Sequence, residues 1–207
     1  MCDNSRECAT PKARCFAGAS ADVASTGVSW SAGPGRREIR PIRDGECAEV
    51  LAIINEAAER YRGVIPEDRW HDPYFSAEYF EGEIAAGVHF WGCEVDGELL
   101  GVMGVQDVDD VTLIRHAYVS PRAQRGGVGG RLLRSLLVKT DKPVLIGTWA
   151  AAEWAVAFYE KNGFACVSRA ETVRLLKRYW DVPERQVETS VVLAEVRPAG
   201  RARRKGR

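Results

Sequence analysis

The sequence has no long apolar run and no closely paired cysteines. No window approaches the ~18 apolar residues that a membrane-spanning helix needs, and residues 1–37 lack the continuous apolar segment of a secretory signal peptide. The six cysteines are scattered without a C-x-x-C pair, and this spacing argues against a disulfide framework and a zinc site. We therefore expect a cytoplasmic protein with free thiols, no bound metal and no membrane partner.

An excess of charge of one sign is also missing, because 29 basic and 29 acidic residues cancel. The charges are unevenly distributed, however: residues 1–37 carry a net charge of +2, residues 197–207 carry +6, and residues 38–196 therefore carry −8. Both ends of the chain have few apolar side chains to bury in a core. We therefore expect a disordered N-terminal extension (1–37) and a basic disordered tail (197–207) around one folded domain (38–196). An acidic domain with a short basic tail is not typical of nucleic-acid binding, and we expect no such partner.

Apolar periodicity predicts alternating helices and strands in residues 38–196. A helix capped by Asp44 follows a first short strand, and Asp96-Gly97 predicts a hairpin turn, because both central residues of the favoured turn need a positive φ. Further helix patterns occupy residues 76–86, 131–139, 152–162 and 171–180, and further strand patterns occupy 88–95, 99–108, 111–119, 143–149, 164–169 and 185–196. Hairpins together with β-α-β connections predict an α/β or α+β domain with a mixed sheet.

Four glycines fall within the five positions 126–130, where a helix begins. A helix start presents unpaired N–H groups and the positive end of its dipole, and glycine lets a bulky anion approach them, so the loop suits phosphate or pyrophosphate. A P-loop is excluded, because no Gly-Lys pair occurs in the chain, and Leu132 stands where a dinucleotide fingerprint starting at Gly127 needs glycine. A flexible glycine turn without a ligand is the alternative.

The loop resembles a family signature. The segment "QRGGVG", from Gln124 to Gly129, matches the Gln/Arg-x-x-Gly-x-Gly/Ala pattern of the GNAT superfamily, and "YVSP", the Leu-Leu helix and "FYEKNGF" stand around it in the family's order. The resemblance covers about residues 38–196. It implies a mostly antiparallel sheet with flanking helices, in which the strand at 111–119 splays from "VLIGTW" to admit the cofactor.

The resemblance also implies a reaction and its participants. The acetyl group moves from acetyl-CoA directly to a primary amine, which we expect to belong to a small molecule. A protein or peptide N-acetyltransferase and a non-catalytic acetyl-CoA-binding regulatory module are the alternatives, and a homodimer formed through the last strands is consistent with the family. No metal takes part.

Site residues are carried over from the family motif position by position. The Val119 N–H polarises the thioester carbonyl, and Tyr159 protonates the departing thiolate, although Tyr159 also fits a packed core tyrosine. The residues expected to contact the cofactor are Ala117, Tyr118, Val119, Gln124, Arg125, Gly126, Gly127, Val128, Gly129, Gly130, Phe158 and Lys161. Among them the loop amides hold the pyrophosphate, residues 117–119 pair with pantetheine, and Lys161 meets the 3′-phosphate or is a plain surface lysine.

The general base is not carried over, because the sequence departs from the family. Ala152 stands where many members have an asparagine, and Gly147 and Leu113 stand where some have a glutamate. The local candidates are a histidine in a strand and three glutamates at helix positions: His116, Glu56, Glu59 and Glu153. Each also fits a purely structural role, and a water chain to bulk solvent is a further route.

Aromatic residues concentrate where the family contacts the acceptor. They can wall a pocket for a small amphipathic amine or form an aromatic core with a lid: Trp70, Tyr74, Phe75, Tyr79 and Phe80, with Trp149 and Trp154 at a later strand–helix junction. The charge of −8 on residues 38–196 favours a cationic acceptor.

Overall fold

Residues 37–196 are described by the computed structural model of this chain. The described strands are β1 (Arg37–Pro41), β2 (His89–Val95), β3 (Glu98–Val108), β4 (Val111–Val119), β5 (Val144–Trp149), β6 (Phe164–Cys166) and β7 (Ser190–Glu195). The described α-helices are α1 (Cys47–Ala58), α2 (Ala77–Ala85), α3 (Val128–Leu137), α4 (Glu153–Lys161), α5 (Arg169–Tyr179) and α6 (Glu184–Thr189). The expected extension and basic tail lie outside the described residues, except for Arg37, with which β1 begins.

The strands form one sheet in the order β1-β2-β3-β4-β5-β7-β6. Every neighbouring pair is antiparallel except β4 and β5, which are parallel. The mixed, mostly antiparallel sheet expected from the sequence is therefore confirmed.

The single parallel pair separates along its length. β4 and β5 are paired only where Thr112–Ile114 face Val144–Ile146. Beyond that point β4 stays paired with β3, and residues 147–149 of β5 stay paired with β7. A gap therefore opens between the carboxyl ends of β4 and β5, as the resemblance implies.

Helices cover both faces of the sheet. On one face α3 and α4 pack over alternate apolar residues such as Ile114, Ile146 and Leu193. On the other face α1 and α2 cover β2, β3 and β4, and α5 covers Leu113, Leu145 and Val192. Since alternate strand residues point to opposite faces, each of these strands contributes to both layers of the core.

Glycine is needed at one tight turn and at one close contact between a helix and the sheet. Asp96 and Gly97 have φ of +53° and +88° at the β2–β3 turn, which confirms the predicted hairpin. A Cβ on Gly101 of β3 would lie 2.7 Å from Cγ1 of Val128. Gly101 therefore lets the start of α3 lie directly on the sheet.

Three local predictions are wrong. Helix α1 begins at Cys47 without a side-chain cap, so Asp44 does not cap it. Strand β6 ends at Cys166, because Ser168 caps α5 by accepting a hydrogen bond from the Glu171 N–H. Residues 185–189 belong to α6 instead of the last strand, and the Arg169 guanidinium holds this helix by donating to the carbonyls of Val187 and Ser190.

No helix between residues 37 and 196, the part of the chain that the structure describes, is long and apolar enough to cross a membrane.

Candidate active site

A cavity of about 1270 Å³ occupies the gap between β4 and β5. It is bounded by the end of β4, the start of α3, the length of α4 and two connecting segments, one between α1 and α2 and one between α5 and α6. It brings together most of the site residues expected from the sequence: Ala117, Tyr118, Val119, Gln124, Arg125, Gly129, Phe158, Tyr159 and Lys161.

A second cavity of about 430 Å³ lies at the start of α3. Gly127, Val128 and Gly130 line it, whereas Gly126 lines neither cavity. The Gly126 carbonyl instead accepts a hydrogen bond from Arg37 (3.2 Å), and its N–H donates to Ala123. Gly126 therefore shapes the loop from behind instead of facing the cavity.

The glycine loop presents a series of backbone N–H groups. Arg125 and Gly127 both have positive φ, +63° and +80°, and such alternation curves successive amides into an anion-binding concavity. The first hydrogen bond of α3 runs from the Arg131 N–H to the Gly127 carbonyl. The amides of residues 128–130 therefore have no carbonyl partner within the helix and lie at its positive end.

The two motif glycines are needed for different reasons. Gly127 has a left-handed φ, and a Cβ there would meet nothing within 4 Å, so its role is conformational. Gly129 has no positive φ, but a Cβ there would lie 3.4 Å from both the Phe158 ring and Cγ2 of Val119. Val119, Gly129 and Phe158 line both cavities, so the missing side chain of Gly129 leaves their junction open.

The backbone of Val119 faces the gap. The Ser120 N–H donates to the Leu100 carbonyl of β3, and because strand amides alternate in direction, the Val119 N–H points the other way, towards β5. The Val119 carbonyl accepts from Nε2 of Gln124 at 3.1 Å. Gln124, the first residue of the glycine motif, is thus hydrogen-bonded to the end of β4, and the unpaired edge of β4 lines the cavity.

Two residues at the α3 end of the site were missed by sequence reasoning. Arg134 and Asn162 line the smaller cavity, and their polar atoms lie 3.1 Å and 3.5 Å from the position of a Cβ on Gly130. Arg134 follows Gly130 by one helical turn, so the i, i+4 spacing was a usable signal. Asn162 directly follows α4 as its C-cap residue, and nothing local in the sequence indicated it.

Tyr159 is buried, with its ring between those of Phe158 and Phe164. Burial, with a smaller contribution from Tyr61, holds the pKa of Tyr159 well above its ordinary value. The phenol therefore keeps its proton at any physiological pH and is available as a neutral donor. It contributes to the apolar core as well as to the cavity wall.

The part of the large cavity lined by the segment between α1 and α2 is aromatic, and we call it the acceptor half because the resemblance implies an acceptor there. The Tyr61 ring stacks on Tyr74 (6.0 Å between centroids) and contacts Trp154 (5.4 Å) and Tyr118 (6.4 Å). Of the aromatic residues expected there, the cavity wall includes Tyr74, Phe75, Tyr79, Trp149 and Trp154, and excludes Trp70 and Phe80. Phe80 packs in the core against Phe90. Tyr61 was not among the expected residues; it ends the short 3₁₀ turn Glu59–Tyr61 that follows α1.

Trp180 fills the space beside Gly147. Its indole ring lies 3.4 Å from where a Cβ on Gly147 would stand, and Trp180, Asp181, Val182 and Pro183 line the cavity from the α5–α6 connection. The position at which some family members have a glutamate is therefore covered by a side chain from a segment 33 positions later. Sequence spacing gave no indication of this contact.

The four candidate general bases differ in whether they line the large cavity. Glu56 accepts from Oγ of Ser120 (3.1 Å), and Glu59 pairs with Arg62 (2.8 Å), whose guanidinium lowers the pKa of Glu59. These two glutamates and Glu153 are absent from the described wall of the large cavity, whereas His116 belongs to it.

The charge of the cavity wall is opposite in sign to the net charge of residues 38–196. Among the described residues of the large cavity, the basic side chains are Arg60, Arg69, Arg115, Arg125 and Lys161, and Asp181 is the one acid. The cavity wall is therefore cationic within an acidic domain, so the charge of −8 gives no support for a cationic acceptor.

Comparison with known proteins supports the resemblance. Residues 86–166 match the family model described as the acetyltransferase (GNAT) domain. The fold is similar to a PaiA N-acetyltransferase of Thermoplasma acidophilum solved with coenzyme A (TM-score 0.58, 18% identity, covering 77% of this chain and 98% of that one). It is also similar to a GNAT-family acetyltransferase of Staphylococcus aureus Mu50 (0.57, 16%, 78% and 100%).

A third similar structure is the alanine N-acetyltransferase of a ribosomal protein from Escherichia coli (TM-score 0.53, 18% identity, 80% of this chain and 97% of that one). Comparison with curated proteins gives no match. At these identities the structural likeness shows the fold, and the family model matches less than half of the chain. The glycine motif and the splayed strands lie within the matched region, so residues 86–166 are similar in sequence to the GNAT acetyltransferase domain, and the described fold is similar to that of GNAT structures.

Proposed function

We propose that this protein transfers an acetyl group from acetyl-CoA to a primary amine of a small molecule. The observation that carries the proposal is the continuity of the site: an amide-lined anion cradle at the start of α3 opens through the Val119–Gly129–Phe158 junction into an aromatic chamber beside Tyr159. Such a site accommodates a long, phosphate-bearing donor at one end and a compact acceptor at the other.

The chain's own groups fit acetyl-CoA in three places. The amides of residues 128–130 receive the pyrophosphate, with Arg125, Arg134 and Lys161 at the rim supplying positive charge. The free edge of β4 at residues 117–119 pairs with the amide groups of the pantetheine arm, as an added strand would. The open space at Gly129 lets the arm pass between the Phe158 ring and Val119.

The transfer step uses two groups of the chain. The Val119 N–H donates a hydrogen bond to the thioester oxygen as negative charge develops on it. The amine nitrogen forms a bond to the acyl carbon, the carbon–sulfur bond breaks, and Tyr159 gives its phenolic proton to the departing sulfur. The acceptor ammonium loses two protons in all, one of which replaces that of Tyr159, while the other passes to solvent.

A small acceptor fits the chamber better than a protein does. The segment between α1 and α2 and the α5–α6 connection both line it. The first of these segments also approaches the start of α6, where the side chains of Asp68 and Arg185 are 3.7 Å apart. A protein substrate needs an open groove, whereas both segments border this chamber. The positive lining further favours an acceptor that carries an anionic group beside its amine.

The test is a screen of the full-length chain with acetyl-CoA and a panel of amines. The panel contains amino acids, polyamines, arylalkylamines and short peptides, and thiol release and the acetylated product are measured together. We expect acetylation of a small amine. Acetylation of peptides alone would favour the protein-substrate alternative, and tight acetyl-CoA binding without transfer to any amine would favour the regulatory module.

A further inference from the structure

Glu83 and His116 form a hydrogen-bonded pair at the acceptor half of the cavity. Nε2 of His116 lies 2.7 Å from Oε2 of Glu83, and their side chains are only 13% and 8% exposed. The Arg115 guanidinium donates to Oε1 of Glu83 (3.0 Å) and to Gln106 (2.9 Å). Both oxygens of the carboxylate therefore have partners, because the Arg115 guanidinium also lies 3.0 Å from Oε2, the oxygen that faces the imidazole.

A β-bulge in β4 directs His116 to this position. The register between β3 and β4 shifts between Val102 and Gly104, and His116 has a left-handed φ of +49°. As a result two consecutive residues, Arg115 and His116, turn their side chains to the face covered by α2, while Val119 packs on the α3 face. Bulges occur next to active sites, where they re-aim a side chain, and a left-handed conformation is uncommon for a residue with a Cβ.

The surroundings favour a neutral imidazole backed by an ionised carboxylate. The His116 ring lies against Phe90 (5.7 Å) and Phe75 (4.8 Å), and burial lowers its pKa, although the hydrogen bond to Glu83 offsets part of this effect. Burial raises the pKa of Glu83, but the contacts with His116, Arg115 and Tyr79 outweigh it, so the net pKa of Glu83 is lowered. The charged or titratable groups facing the imidazole are thus Glu83, Arg115 and Tyr79.

The hydrogen bond also decides the tautomer. An ionised carboxylate only accepts hydrogen bonds, so Glu83 keeps the imidazole proton on Nε2. Nδ1 then carries the free lone pair, and no hydrogen bond to Nδ1 occurs among the described residues. A histidine with one nitrogen fixed by a carboxylate and the other free is the arrangement that takes protons in nucleophilic catalysis.

We propose that Nδ1 of His116 takes the proton from the acceptor ammonium, with Glu83 as its positioning residue; the inference rests on the proposed function. The ammonium gives one proton to Nδ1 and becomes a free amine that can attack the acyl carbon. The imidazolium, stabilised by the Glu83 carboxylate, then passes this proton to solvent. His116 has no counterpart among the family positions considered above, and Glu83 comes from α2, outside every motif in the sequence.

The first test compares kcat against pH for the full-length chain and two variants, H116Q and H116N. Gln preserves a hydrogen-bonding group towards Glu83, and Asn tolerates the left-handed backbone. For the wild type, kcat rises with pH through a midpoint below the ordinary histidine pKa of about 6.5 and then levels off, because burial lowers the pKa of His116. Both variants lose this limb, and kcat falls about 100-fold or more, as expected for removal of a general base.

Acetyl-CoA affinity and melting temperature of both variants stay near those of the wild type, which separates a catalytic defect from misfolding. H89Q is the matched control, because His89 is an exposed histidine on β2, and kcat and its pH dependence should not change. The second test is E83Q. Because the carboxylate raises the pKa of His116, its loss moves the limb to lower pH and lowers kcat at least tenfold, whereas a merely structural role would leave the limb in place.

Unchanged kcat and an unchanged pH limb in both His116 variants would overturn the dyad while leaving the transferase proposal intact. An E83Q limb at the wild-type position would overturn the role of Glu83. Absence of amine acetylation by the wild-type chain would overturn the proposed function itself, and the dyad with it.

Discussion

Substitutions at Gly129 and Gly127 separate the two reasons for glycine at the start of α3. A Cβ on Gly129 would be in ordinary contact, at 3.4 Å, with Phe158 and Val119 and would occupy the junction of the two cavities. A Cβ on Gly127 would stand in open space, but the backbone there has φ of +80°. The first substitution should therefore block the donor, and the second should strain the fold.

The magnitudes follow from these geometries. In G129V the added side chain obstructs the pantetheine arm, and we expect acetyl-CoA affinity to fall at least tenfold, or ~1.4 kcal/mol. The apo protein should lose little, because replacing a helical glycine with valine regains about 0.3 kcal/mol of propensity, which offsets part of the crowding at Phe158. In G127A a left-handed alanine costs ~1–2 kcal/mol, which corresponds to a decrease of about 2–8 °C in Tm for a domain of this size.

Titration calorimetry with acetyl-CoA, alongside thermal melts of the apo proteins, measures both quantities. G129A is the graded control, since its single Cβ should give a smaller loss of affinity than G129V and no loss of Tm. Affinity within twofold of wild type in G129V would refute the steric argument at the junction. An unchanged apo Tm in G127A would show that the left-handed conformation at this position costs nothing to replace.

Three further outcomes are expected. Acetyl-CoA at 100 times its Kd should stabilise the protein by ~2.7 kcal/mol through mass action, and the absence of a thermal shift at millimolar ligand would contradict donor binding. Y159F should lower kcat about 100-fold, since a proton donor is lost, with acetyl-CoA affinity unchanged; a kcat equal to wild type would leave Tyr159 as a packing residue. W180A should raise KM for the amine at least tenfold without changing KM for acetyl-CoA, because Trp180 borders only the larger cavity, and equal effects on both KM values would contradict its placement at the acceptor.

The parts of the fold that could be predicted are those whose signal is local. The Asp96-Gly97 hairpin, the glycine loop before α3 and the Leu-Leu stripe of α3 each depend on a few adjacent residues, and each was predicted at its place. The last strand was misread for the same reason: residues 185–189 alternate in a way that fits a strand, but Arg169 from a distant segment holds them as a helix. A tertiary contact decided between two locally acceptable conformations.

The candidate site also has one part that local sequence signals indicate and one part that they do not. Its donor half lies in one continuous stretch, residues 117–130, together with α4, so a motif could indicate it. The acceptor half is assembled from Tyr61, Trp180 and β4, with Glu83 hydrogen-bonded to His116, and the spacing of these residues in the sequence carries no signal. Trp180 beside Gly147 is the clearest case, because a glycine in a strand indicates a close approach but does not say which residue approaches.

The bulge in β4 explains how one strand can serve both halves. A regular strand would place Arg115 and His116 on opposite faces, and the imidazole would then point towards α3, away from Glu83. The extra residue turns both side chains towards α2 and lets β4 resume its pairing with β3 at Tyr118 and Val119. The Val119 N–H then faces the gap in which we place the thioester, while the imidazole three residues earlier faces the side on which we place the acceptor. The left-handed backbone at His116 is thus tied to both proposed roles at once, which is a physical reason for retaining a conformation that a residue with a Cβ rarely adopts.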